Sequence, residues 1–290
     1  MATESGKACL LFNSGYHANT GVLSGLATRN DLIIADQLCH ASLIDGARLS
    51  GATFKRFGHR NYEHLQRLLK THQADYARIF IITESLFSMT GTCCDFERFL
   101  AITTASPQYY SIVDESHAVG CYGAGSGLGL ASQAGVLDKL DIIIGTFGKA
   151  WASTGAFVLC DAIVKSYLVN TARSLLYSTA LPPFVTGVNY KTVTTDYSAA
   201  RMQLQANTAY CYEALHQQGI QSDSMHHIIP IMVDTDRIMS VYDALLESGI
   251  RVSAVRPPTV PRSCLRVSIR ATHTHANIDQ LIRCLSKVRL

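Results

Sequence analysis

With 290 residues, 31.6 kDa, 48% apolar and 16% charged side chains, the chain can bury one large domain plus a lobe and is too apolar for a disordered protein. A formal net charge of +3 without any run of Lys or Arg argues against a nucleic-acid or anionic-membrane surface, and no apolar run reaches the roughly 18 residues of a membrane helix. Nine cysteines, scattered without C-x-x-C spacing and often within apolar runs, point to a reducing cytoplasmic setting rather than a disulfide framework.

Ala8-Cys-Leu-Leu-Phe12 follows a few polar residues and reads as a buried strand. So abrupt an entry into a core leads us to expect a fragment or an alternative start. Leu32-Ile-Ile-Ala35, Ile79-Phe-Ile-Ile82, Ser111-Ile-Val113, Ile142-Ile-Ile144 and Ala156-Phe-Val-Leu159 have the length of buried strands and lack period-two alternation, as strands covered on both faces do. Between them, His64–Leu69 and Phe96–Ile102 show helical spacing. Strand–helix alternation of this kind predicts an α/β sandwich on a parallel or mixed sheet.

After Pro182-Pro183 the texture changes. A polar helix from about residue 192 to 217 leads to a second unit. That unit comprises a strand within His227–Val233, a helix over Ser240–Ser248 stopped by Gly249, strands near Arg251–Val255 and Leu265–Ile269, and a last helix from Asn277. The expected division is a large domain over 1–200 and a smaller α+β domain over 201–290.

Three successive strands end in chemistry: Glu84, Asp114, and the stretch Gly145-Thr-Phe-Gly-Lys149-Ala150. Open α/β sheets bind ligands beyond the carboxyl ends of their strands. A lysine on a polar loop, a strand-end acid and His117 are the parts that hold and tune pyridoxal phosphate. The lysine carries the aldehyde as a Schiff base, and the acid keeps the pyridine nitrogen protonated. Glu115 could claim the role of Asp114, but His117, three residues on, favours Asp114. A phosphate-binding P-loop fails, because Ile143 holds its leading glycine position and Ala150 its Ser/Thr position. The glycine-rich stretch Gly120–Gly129 reads as a flexible connector. His226-His227 and His273-Thr-His275 lack an acid or Cys at ligand spacing, so no metal is expected. Ser85 and Ser88 lack a nucleophile elbow.

Segments in consistent order carry a family resemblance: Phe12-Asn-Ser-Gly-Tyr-His-Ala-Asn19, Asp36-Gln-Leu-Cys-His-Ala-Ser-Leu-Ile-Asp45, Thr83-Glu-Ser-Leu-Phe-Ser-Met-Thr-Gly91 and Val113-Asp-Glu-Ser-His-Ala-Val-Gly120. They continue with Gly145–Ala150, Tyr177-Ser-Thr-Ala-Leu-Pro-Pro183 and Arg256-Pro-Pro-Thr-Val-Pro261. The chain resembles the α-oxoamine synthases, pyridoxal-phosphate enzymes that condense an amino acid with an acyl thioester and release carbon dioxide. The resemblance implies a fold-type-I, three-layer α/β/α large domain with a mostly parallel sheet, and a cytoplasmic homodimer with a shared active site. The segments at Tyr177–Pro183 and Arg256–Pro261 are most similar to members that join L-alanine to a pimeloyl thioester, carried on coenzyme A or a carrier protein, in biotin synthesis. The Asp114–Gly120 segment is also similar to 2-amino-3-ketobutyrate CoA ligase.

By the same resemblance, Lys149 binds the cofactor and moves the α-proton, Asp114 pairs with the ring nitrogen, and His117 bonds the phenolic oxygen. His40 stacks on the ring and borders the substrate. Gly15 and Tyr16 hold the phosphate, Ser88 and Thr146 add cofactor contacts, and Thr179 approaches the phosphate from the other subunit. Thr259 and Arg266 lie at the substrate end, the guanidinium gripping a carboxylate. The departures from the family pattern include Trp151, expected to crowd the lysine loop, and the family's N-terminal segment, expected to be missing. Together these imply an alternative, a catalytically impaired paralogue acting as a partner subunit.

Overall fold

The computed structural model describes residues 5–123 and 125–288. It divides into two compact units. The first runs to Leu86 and resumes over Cys94–Tyr197, and the second takes Phe87–Cys93 and the chain from Ser198 onward.

The first unit is built on strands β1 (Ala8–Phe12), β2 (Leu32–Asp36), β3 (Thr53–Phe57), β4 (Ile79–Glu84), β5 (Tyr109–Asp114), β6 (Ile142–Thr146) and β7 (Ala156–Cys160). They form one sheet in the order β1-β7-β6-β5-β4-β2-β3. The block from β6 to β3 is parallel, and β7 runs antiparallel to both of its neighbours. Every residue of β2, β4, β6 and β7 is buried. Successive side chains point to opposite faces, so both faces are covered and the unit is a three-layer α/β/α sandwich. The fold-type-I expectation is met.

Its helices are α1 (Gly15–Leu26), α2 (Ala41–Ser50), α3 (Tyr62–His72), α4 (Phe96–Thr103), α5 (Leu130–Gln133), α6 (Ala162–Thr171), α7 (Arg173–Leu176) and α8 (Pro183–Thr194). Ser14, Asn61 and Asp95 start α1, α3 and α4 by accepting a hydrogen bond from the backbone N–H three residues on.

The second unit holds α9 (Ser198–Gln217), β8 (Ile228–Met232), α10 (Ile238–Glu247), β9 (Ser253–Val255), β10 (Cys264–Ser268) and α11 (His275–Val288). Its antiparallel sheet has the order β8-β10-β9. Helix α11 buries Ile278, Leu281, Ile282 and Leu285, a stripe at helical spacing. No helix among the described residues is long and apolar enough to cross a membrane.

Three expectations change, and one strand, β3, is unforeseen. β1 is a half-buried edge strand paired only with β7, and Leu11 is largely exposed. β3 escapes a hydrophobic-run reading because Lys55 and Arg56 sit in it, as charges often do on sheet edges. The single helix from about 192 to 217 is two helices, α8 and α9, because Thr195 leaves α8 in an extended conformation. The glycine-rich connector is built, not loose: Gly120 N–H donates to Gly127 O, Gly127 N–H to Gly123 O, and Gly129 N–H to Tyr122 O.

Candidate active site

β4, β5 and β6 lie side by side, and Glu84 and Asp114 are register partners at the ends of β4 and β5. Asp114 is buried. Its Oδ1 accepts the Ser116 N–H at 2.8 Å and its Oδ2 accepts Asn19 Nδ2 at 2.8 Å, so the carboxylate plane is fixed. Glu115 goes elsewhere. Fully buried, it accepts from Ser85 Oγ, Leu130 N–H and Ala131 N–H, tying the glycine-rich connector to the start of α5. Of the two acids, Glu115 is committed to the fold.

Glu84 clamps the backbone of His40, accepting its N–H at 2.6 Å. Burial pushes the Glu84 carboxyl well above the usual carboxylate range, and the Asp114 charge pushes it further. The His40 N–H and the Lys149 ammonium oppose that rise, so the lysine's field reaches this corner. His40 caps α2, and its Nδ1 lies 2.7 Å from Ser42 Oγ.

Lys149 is exposed on the loop after β6. Thr146 shapes that loop by donating to Gly155 O at 3.0 Å and accepting the Gly148 N–H at 3.1 Å. The Ala152 N–H closes onto Lys149 O. Trp151 does not crowd the loop: its indole is buried against Phe147 and Phe157, with ring centroids 5.6 and 6.0 Å away. The aromatic cluster absorbs it.

Gly15 opens α1, and the atoms nearest to a Cβ on it would be Thr146 side-chain atoms, the first at 3.7 Å, and Ser116 Oγ at 3.8 Å. The first N–H groups of α1 therefore start beside the ends of β5 and β6. They lack intrahelical acceptors and favour an anion. Tyr16 is half-exposed and donates its hydroxyl to Asp45 Oδ2 at 2.9 Å. The Thr179 carbonyl accepts Asn13 Nδ2 at 2.7 Å, just ahead of the α1 cap. His117 is half-buried on the turn after β5.

Ser88, Thr259 and Arg266 belong to the second unit. There, Arg266 Nε donates to Ser88 O at 2.6 Å, and burial lowers the guanidinium pKa. The exposed Thr259 donates its N–H to Arg256 O. Both histidines of the second sequence cluster have structural uses: His273 Nδ1 accepts the Arg270 N–H, and His275 stacks on Tyr210 with centroids 4.0 Å apart. Burial lowers the His227 pKa to about 4.

Two buried polar residues escape a reading of the sequence alone, Asn19 and Ser42. Asn19 lies four residues after Gly15, so it shares a helix face with it, which is the signal that could have found it.

The residues fit pyridoxal phosphate. The oriented Asp114 carboxylate suits a pyridinium N–H, the N terminus of α1 suits a phosphate, and the Lys149 loop supplies an amine at the same sheet edge. The glycine at position 15 leaves the approach to that helix end open.

This sheet, with a lysine loop and an oriented acid at its carboxyl edge, is that of a fold-type-I pyridoxal-phosphate enzyme. Residues 2–285 match the aminotransferase class I and II family, and the chain belongs to it. It is 43% identical over 288 residues to 8-amino-7-oxononanoate synthase of Chlorobaculum parvum, covering 98% of this chain and 73% of that one. An 8-amino-7-oxononanoate synthase structure from Francisella tularensis superposes with a TM-score of 0.84 at 28% identity, covering 99% of this chain and 84% of that one. A serine palmitoyltransferase from S. paucimobilis, solved with a bound PLP-myriocin aldimine, superposes with a TM-score of 0.91 at 26% identity, covering 99% of this chain and 74% of that one.

Proposed function

We propose that this chain is a pyridoxal-phosphate-dependent C-acyltransferase that condenses L-alanine with a pimeloyl thioester and releases carbon dioxide, yielding 8-amino-7-oxononanoate for biotin synthesis. The observation that carries the reading is the edge formed by β4, β5 and β6, where the fixed Asp114 carboxylate and the lysine loop meet the N terminus of α1. The 8-amino-7-oxononanoate synthase relative, aligned over nearly the whole chain, supports the substrate pair.

When bound, the cofactor supplies an aldehyde for the substrate amine and a sink for the electrons released at its α-carbon. Lys149 Nζ would hold that aldehyde between turnovers, and would take the α-proton and return it. Asp114 would accept the ring N–H, and His117 would bond the phenolic oxygen. His40 would cover the ring face. The Gly15 and Tyr16 N–H groups would hold the phosphate, Ser88 and Thr146 would add contacts, and Thr179 would serve the phosphate of a second copy in a homodimer. Thr259 and Arg266 would receive the amino acid.

The exposed apolar side chains Ile163, Tyr167, Tyr177, Phe184, Val188 and Tyr190 of the first unit support pairing with a second copy. The nine cysteines, none of them in a disulfide among the described residues, suit a reducing cytoplasm.

Adding pyridoxal phosphate to the purified chain should produce the near-ultraviolet or visible absorbance band of a conjugated imine. Carbon dioxide release across a panel of amino acids and acyl thioesters should be fastest with alanine and a pimeloyl thioester. Faster release with glycine and an acetyl thioester would overturn the substrate assignment. Arg266→Lys loses the bidentate grip and should raise KM for the amino acid by roughly tenfold, with the cofactor band unchanged.

A further inference from the structure

Four side chains of the first unit form one hydrogen-bonded line between His40 and Asp114. Ser42 Oγ lies 2.7 Å from His40 Nδ1, and Asn19 Nδ2 donates to Ser42 Oγ at 2.8 Å. The same amide nitrogen donates to Asp114 Oδ2 at 2.8 Å. Asn19 and Ser42 are 2% and 1% exposed, so water does not compete for these bonds.

The line has a direction. A carboxylate only accepts, so the Asn19 amide turns its nitrogen toward Asp114. Both of its hydrogens are then used, and Ser42 Oγ, accepting one of them, keeps its own proton to donate to His40 Nδ1. The Ser42 backbone N–H reaches the same ring nitrogen at 3.3 Å. Two donors on Nδ1 make it an acceptor, which leaves the imidazole neutral with its proton on Nε2.

The arrangement carries a visible cost. Asn19 Oδ1 is buried without a hydrogen-bond partner. Turning the amide over would give no relief, because it would set a carbonyl oxygen against the Asp114 carboxylate. Glu84 holds the other side of the same histidine through its backbone N–H.

We infer that Asn19 and Ser42 are positioning residues that lock His40 as its Nε2–H tautomer and couple its ring to the Asp114 carboxylate. The inference rests on the cofactor reading for its purpose, since it sets the ring-face group and the ring-nitrogen partner as one unit. A neutral imidazole adds no second positive charge beside a protonated pyridine ring.

Long-range proton–nitrogen NMR of the full, histidine-labelled chain without cofactor reads the tautomer directly. The His40 signals, identified by their loss in His40→Gln, should show the Nε2–H pattern in the parent. Ser42→Ala and Asn19→Ala should each convert it to a mixture of tautomers. In equilibrium dialysis, Ser42→Ala should weaken pyridoxal-phosphate binding by roughly tenfold. An Nδ1–H pattern in the parent, or an Nε2–H pattern untouched by Ser42→Ala, overturns the inference. A parent that shows the expected tautomers but binds no pyridoxal phosphate overturns the cofactor reading and leaves the hydrogen-bonded line standing.

Discussion

Lys149→Ala should abolish the covalent hold on pyridoxal phosphate and lower turnover by roughly 100- to 10,000-fold from lost proton transfer alone. The side chain is exposed on a loop shaped by Thr146, Gly148, Ala152 and Ser153 backbone and hydroxyl contacts. The loop should therefore keep its backbone path in the variant. Borohydride treatment of the loaded parent, followed by peptide mapping, should place the label on Lys149 and on no other lysine. The substitution also removes one of the two influences holding down the Glu84 carboxyl, leaving burial and Asp114 to push it higher. A cofactor band that survives unchanged in Lys149→Ala, or a label on a different lysine, would sink the assignment.

Much of this is readable in the sequence because the signals are local. The unbroken apolar runs at Ile79, Ile112 and Ile142 mark strands covered on both faces, and each run leads to the polar residue that the sheet delivers to its carboxyl edge. The illegible parts depend on partners that only the folded backbone brings together. Asn19 and Ser42 look like ordinary helix residues until α1 and α2 pack together and set Asn19 between Ser42 and Asp114. Trp151 looks obstructive in sequence because its neighbours Phe147 and Phe157 come from the loop and from β7, an antiparallel strand that turns back beside β6. By strand pattern alone Glu115 looks interchangeable with Asp114, and only His117, three residues after Asp114, favours one of them. Adjacent residues on an extended chain point to opposite sides, and the pattern alone does not say which side carries the connector and which the chemistry.

Gly129→Ala should destabilise the first unit by about 3 kcal/mol at neutral pH, and by more as pH rises. Gly129 has φ +97°, and a Cβ there would overlap Glu115 Oε2. A side chain at φ +97° and ψ −167°, a region essentially reserved for glycine, costs about 1–3 kcal/mol, and displacing the carboxylate from the Leu130 and Ala131 N–H groups adds roughly 1–3 kcal/mol. Burial raises the Glu115 carboxyl to about 7, against the hydrogen bonds from Ser85, Ala131 and Leu130 that lower it. Because the folded form holds this proton more tightly than the unfolded chain, stability falls as pH climbs from about 4.5 and levels off above about 7, a total of about 3 kcal/mol for this group. Weakening its hydrogen bonds in Gly129→Ala raises the carboxyl further, so the variant should keep losing stability above the pH where the parent levels off. Gly135 has φ +66° and open space where a methyl group would stand, so Gly135→Ala carries a positive-φ cost without a clash and should lose only about 1–2 kcal/mol at every pH. Urea unfolding from acid to alkaline pH, followed by the fluorescence of the single tryptophan, buried in the same unit, separates the two. Equal, pH-independent losses in both variants would show that the Glu115 contacts do not hold the connector.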